Sequence, residues 1–143
     1  VLSAHFSLNP KGLLHSTAAL LLCGSATLAT AQEIQFSAAQ VEAGIATYKE
    51  TCQLCHGTTM ANGQFGTPLR GSYFRKKWAG KSVGELLQFT LDSMPPDNKG
   101  GLAPEQYAAV LAYVLSRNEL LPGDTGLSAD PQALTSVMLP WQP

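Results

Sequence analysis

The sequence predicts an all-α domain of three main helices joined by loops. Ser37 with Gln40, and again Ser82 with Glu85, stand three residues apart ahead of apolar runs. That pairing is the capping box of a helix start, in which each side chain satisfies a backbone donor of the first turn. Apolar residues then recur three and four positions apart, the period of a one-sided helix. No alternating run is long enough to argue for a sheet, and no internal repeat is present.

The first helix opens at Ser37, carries Val41, Gly44, Ile45 and Tyr48 on one stripe, and runs directly into Cys52. Residues 57–80 read as loop, because Gly57, Gly63, Gly66, Gly71 and Gly80 interrupt them and no period is sustained. The second helix opens at Ser82 and continues through Leu86, Leu87, Phe89 and Thr90. Pro95 and Pro96 must end it, since proline lacks the amide donor and clashes with the preceding turn. Pro104 suits the first turn of a third helix. Its apolar stripe is Val110, Leu111, Val114 and Leu115, and it ends by about Asn118. Residues 119–143 hold Pro122, Gly123, Gly126, Pro131, Pro140 and Pro143. They read as an extended tail over the surface, with a short turn around 132–137.

Residues 1–31 contain no acidic residue and a single lysine, Lys11. An apolar stretch from Ala18 to Ala29 leads to Ala29-Thr30-Ala31, the small-x-small pattern of a signal-peptidase site. It falls short of the roughly 20 apolar residues that span a bilayer. The expectation is a cleaved export signal and a periplasmic protein. The alternative is a retained helix, and only then would the protein associate with a membrane. The chain therefore divides into a signal (1–31), a core domain (32–118) and a tail (119–143).

Composition narrows the function. A chain of 143 residues has a prior of one domain. Its net charge of −1 gives no basic stripe, so nucleic acid is not an expected partner. Three cysteines, Cys23, Cys52 and Cys55, are too few for a disulfide framework or a four-thiolate metal site. With 13% charged residues, the domain needs a good core or a large apolar cofactor to fill it.

Cys52-Gln53-Leu54-Cys55-His56 is the C-x-x-C-H pattern of haem attachment. Two thiols three positions apart at a helix end can each reach one vinyl group of a porphyrin. The adjacent imidazole then lies under the ring and faces the iron. A thioredoxin-like C-x-x-C needs a strand ahead of it, whereas a helix precedes this one. A zinc site needs a second ligand pair, and His5, His15 and Cys23 all fall within the expected signal. Haem c, one group covalently attached through its iron-bearing porphyrin, is the expected cofactor.

From these residues the sequence resembles the class I cytochromes c over about residues 37–118. Gly66-Thr67-Pro68-Leu69-Arg70-Gly71 is similar to a family loop in which a leucine packs on the haem, here Leu69. Met94-Pro95 resembles the family's axial methionine followed by proline. Tyr107 and the segment Ala112-Tyr113-Val114-Leu115 resemble the terminal helix that crosses the first, with Gly44 and Tyr48 at the close approach. The resemblance implies a class I cytochrome c fold around one covalent haem. It also implies that the backbone carbonyl at Thr67, where the family has proline, accepts the proton of the axial imidazole.

Three methionines are candidates for the sixth ligand. Met94, 38 residues after His56, can reach the opposite haem face. Met60 is only four residues from His56, and Met138 lies in the tail. Met94 is preferred, with His56 and Met94 as the two metal ligands. Tyr73 and Trp78 are candidate hydrogen-bond donors to haem propionates. Arg70, Arg75, Lys76, Lys77 and Lys81 are five of the nine basic residues, a solvated loop charge, a docking patch or a propionate counter-charge.

The expected function is an electron carrier rather than an enzyme, passing electrons between a dehydrogenase and a respiratory acceptor. The segment from Met94 to Gly123 is also similar to small cytochrome subunits and domains that accompany bacterial quinoprotein (PQQ) dehydrogenases. By that resemblance a quinoprotein dehydrogenase is a candidate partner on which the tail would dock. A haem enzyme such as a peroxidase is the remaining alternative and would need an open sixth position.

Overall fold

The computed structural model describes residues 33–142. The apolar stretch 18–29, Cys23 and the Ala29-Thr30-Ala31 site lie outside the described residues.

Both capping boxes form. Ser37 Oγ accepts from Gln40 N at 3.2 Å, and Gln40 Oε1 accepts from Ser37 N at 3.3 Å, opening α1 at Ala38–Thr47. The helix then widens into a π turn at Tyr48–Cys52, where Gln53 N donates to Tyr48 O, before a short α2 at Gln53–His56. Such a turn inserts an extra residue into the helical register. It offsets Cys52, Cys55 and His56 from the Gly44–Tyr48 stripe that packs against another helix.

That other helix is α5, Pro104–Ser116, with proline in its first turn. α1 and α5 cross at Gly44, where an added Cβ would overlap the carbonyl of Ala109. Beside the crossing, the rings of Tyr48 and Tyr113 meet edge to face at 5.5 Å. α4 spans Val83–Ser93 and stops where the Met94-Pro95-Pro96 segment requires. Among the described residues there is no β-strand, only two isolated bridges. The fold is all-α.

Two parts differ from the sequence expectation. The segment 57–80 is not loop throughout, because Gly71–Trp78 forms a helix, α3. Its inward face is Phe74 and Trp78, four positions apart, and Arg75, Lys76 and Lys77 fall in the last turn, where the helix dipole favours cations. With glycines at 71 and 80 bounding so short a stretch, its period is masked.

The second difference is the tail. It is extended apart from a 3₁₀ turn at Pro131–Leu134, yet it is not confined to the surface. Leu127, Leu134, Val137 and Leu139 are buried in the same core as Phe36 and Val83. Val83 N donates to Val137 O at 2.8 Å, and Leu139 N donates to Lys81 O at 2.9 Å. Gln40 holds the tail from the other side: its Oε1 accepts from Leu127 N at 2.6 Å and its Nε2 donates to Leu127 O at 2.9 Å. The sequence conceals this role because the apolar residues follow backbone-directed pairing rather than a helical or strand period.

Tyr48 is buried beside the α1–α5 crossing and donates its hydroxyl to Gly57 O at 2.7 Å. Burial, with smaller contributions from Cys52 and Tyr113, pushes its phenol well above the ordinary tyrosine range. A folded-state pKa above the unfolded one stabilises the fold fully below the unfolded pKa of about 10 and is lost as pH rises beyond it. Tyr48→Phe is expected to cost about 1 kcal/mol at neutral pH through the lost hydrogen bond. It should also flatten the loss of stability above about pH 10. Urea titrations at neutral and alkaline pH check both effects.

Candidate haem-binding site

The π turn and helices α2 to α5 contribute to one apolar cavity of ≈ 340 Å³, a size within the range of about 300–1,000 Å³ typical of cofactor pockets. Leu69, Phe74, Leu86, Leu102, Val110 and Val114 supply much of its wall. Cys52, Cys55 and His56 enter it from the π turn and α2.

The imidazole of His56 is oriented by two features. Its Nδ1 lies 2.8 Å from Thr67 O. A carbonyl only accepts, so Nδ1 carries the proton and Nε2 keeps its lone pair for a metal. Gly66 presses on the ring from the same loop, and a Cβ there would lie 2.6 Å from Nδ1. The carbonyl at position 67 is therefore placed as the resemblance implied, although threonine replaces proline. Asn118 fixes the following residues: its Nδ2 donates to Leu69 O and Val114 O, both at 2.9 Å, and its Oδ1 accepts from Gly71 N at 3.1 Å.

Cys52 and Cys55 are not joined to each other as a disulfide. Burial, and to a lesser degree the neighbouring Cys55, pushes the Cys52 thiol up to about 11. Among the described residues no three His, Cys, Asp or Glu side chains gather into a metal site. The mostly apolar wall thus brings together one imidazole, two thiols and the side chain of Met94, a donor set that fits a haem held by thioethers and poorly suits a bare metal ion.

Met94 caps α4, with its N–H donating to Thr90 O at 2.9 Å, and lines the cavity. The other two methionines are not in the cavity wall. Met60 is fully buried, and its carbonyl accepts from Leu69 N at 2.8 Å. Met138 is half-exposed on the tail. Leu69 and Trp78 line the cavity, whereas Tyr73 does not. On α3 the inward positions are 74 and 78, so residue 73 turns outward and is 52% exposed.

Within the basic window, Arg75 pairs with Glu119 at 2.9 Å and Lys81 with Glu85 at 3.5 Å. Lys77 instead lies over the rings of Phe89 and Trp78, 5.0 and 5.8 Å from their centroids, and reaches the cavity. Sequence reasoning did not single out Lys77 or Asn118 for these roles. Asn118 had a signal: an amide directly following an apolar helical stripe must find partners once it is buried.

A porphyrin bound covalently through two thiols needs such a wall, and with it the all-α frame becomes that of a class I c-type cytochrome. Residues 39–114, just over half of the chain, match the family described as cytochrome C oxidase, cbb3-type, subunit III, and the chain belongs to that family. No match was found among curated proteins or among solved structures. A cytochrome c domain implies covalent haem c with its iron, and Cys52, Cys55 and His56 fit that attachment. It also implies haem-based electron transfer with redox partner proteins.

Proposed function

We propose that this protein is an exported single-haem electron carrier whose iron is ligated by His56 and Met94. The observation that carries the reading is that one apolar cavity receives both the anchored imidazole of His56 and, from another part of the chain, Met94.

Bound haem supplies an iron that cycles between ferric and ferrous states. Cys52 and Cys55 would hold the porphyrin through thioethers. Thr67 O holds the His56 proton at Nδ1 and makes Nε2 the donor. The thioether of Met94 is a soft ligand that raises the potential. Leu69, Phe74 and Val110 keep water out, which limits reorganisation on each transfer. With His56 and Met94 as its two ligands, a bound haem would keep no open site for a substrate, and this favours a carrier over a peroxidase.

Trp78 and Lys77 are the proposed partners of the haem propionates, as an indole donor and a counter-charge. Export to the periplasm is supported by the apolar stretch and small-x-small site upstream. Among the described residues no helix is long and apolar enough to cross a membrane. A quinoprotein dehydrogenase is the proposed electron donor, supported by the sequence pattern from Met94 to Gly123. The tail argues less for that docking than its length suggests, since Leu127, Leu134, Val137 and Leu139 pack against this chain itself.

Intact mass of the purified protein should show one covalent haem, and the ferric spectrum should be low-spin with a Met–iron charge-transfer band. A high-spin ferric spectrum would overturn the carrier assignment. Stopped-flow mixing with a reduced quinoprotein dehydrogenase tests the donor, and failure to reduce the haem rejects that partner.

A further inference from the structure

Tyr107 is almost completely buried in the first half of α5 and lines the haem cavity. Its hydroxyl donates to the carbonyl of Met94 at 2.6 Å. Met94 follows the last residue of α4, so its carbonyl is no longer part of a helical ladder. The tyrosine therefore ties a non-helical segment to a helix that is itself fixed against α1 at Gly44.

We propose that Tyr107 is a positioning residue for the sixth ligand: its bond to the Met94 carbonyl keeps the methionine sulfur at the iron and suppresses opening of that side of the haem. This rests on Met94 being the sixth ligand. A small ligand such as imidazole can bind ferric iron only when the methionine has moved away. Its apparent affinity is scaled by the fraction of molecules in that open state. Loss of a restraint on the Met94 segment increases the fraction directly. A side chain serving only general stability would leave it unchanged.

The test is imidazole titration of the ferric holoprotein, followed by its absorption spectrum. Tyr107→Phe keeps the ring and removes only the hydroxyl. It should bind imidazole about fivefold more tightly, the factor set by loss of one ordinary net hydrogen bond. Tyr48→Phe is the comparison, because it removes a similar buried tyrosine–carbonyl bond away from Met94. Its denaturant stability should fall while its imidazole affinity stays at the wild-type value. Unchanged affinity in Tyr107→Phe, or an equal rise in both variants, would overturn the proposal. The underlying ligation is judged separately on the wild type: absence of its Met–iron band rejects Met94 as ligand, whereas a band with unresponsive Tyr107→Phe rejects only the role of Tyr107.

Discussion

Replacing Met94 with alanine is expected to lower the midpoint potential by on the order of 0.1–0.3 V, part of the ~0.8 V span that axial ligands control. The ferric protein should also lose its Met–iron band and turn high-spin. The size of the effect follows from the surroundings. Among the described residues no other methionine takes the position, because Met60 is packed outside the cavity wall and Met138 lies half-exposed on the tail. No histidine substitutes among the described residues, since His56 is the only one there. Stability should change less than the potential, because Pro95, Pro96 and the Tyr107 bond remain to shape the segment. Spectroelectrochemical titration measures the shift, and a potential equal to that of the wild type would sink the ligand assignment.

Gly44→Ala is expected to destabilise the fold by about 3 kcal/mol or more, beyond the usual range for overpacking. Helix propensity alone gives the opposite sign, since alanine favours an exposed helix interior over glycine by about 1 kcal/mol. At Gly44 the added methyl would overlap the backbone carbonyl of Ala109 and approach Tyr113 Cβ at 3.0 Å. A flexible side chain could move aside, but a carbonyl inside α5 cannot move without shifting the helix. Such a shift would disturb the Tyr48–Tyr113 contact and the cavity wall at Val110 and Val114. Denaturant titration of the holoprotein gives the sign directly, and a stabilised variant would mean that the two helices do not cross here.

Features written in local chemistry are legible in the sequence alone. Ser37, Ser82 and Pro104 each mark a helix start through a few neighbouring residues, and all three helices begin there. Cys52, Cys55 and His56 were legible because haem attachment constrains spacing directly. The Thr67 carbonyl was reached only through a family resemblance, since a backbone acceptor leaves no mark in the residue type. Helix α3 was missed because bounding glycines outweighed the Phe74–Trp78 pair. The π turn at Tyr48–Cys52 has no residue code of its own. Tyr73 lies outside the cavity wall because it falls on a helix that was not expected there, whose spacing turns it outward. The tail was underestimated for a different reason. Its buried residues are specified by distant partners, Gln40 and the amide and carbonyl groups flanking Ser82, which a reading along the chain cannot pair.

The same tail bears on the order in which the molecule is built. A chain that emerges from its N-terminal side presents Cys52 and Cys55 well before residues 127–139. Phe36, Val83 and the first turn of α1 lack their final neighbours until that late segment arrives. Residues 127–139 form no part of the haem cavity wall, so the tail completes the core beside the cofactor site rather than the site itself.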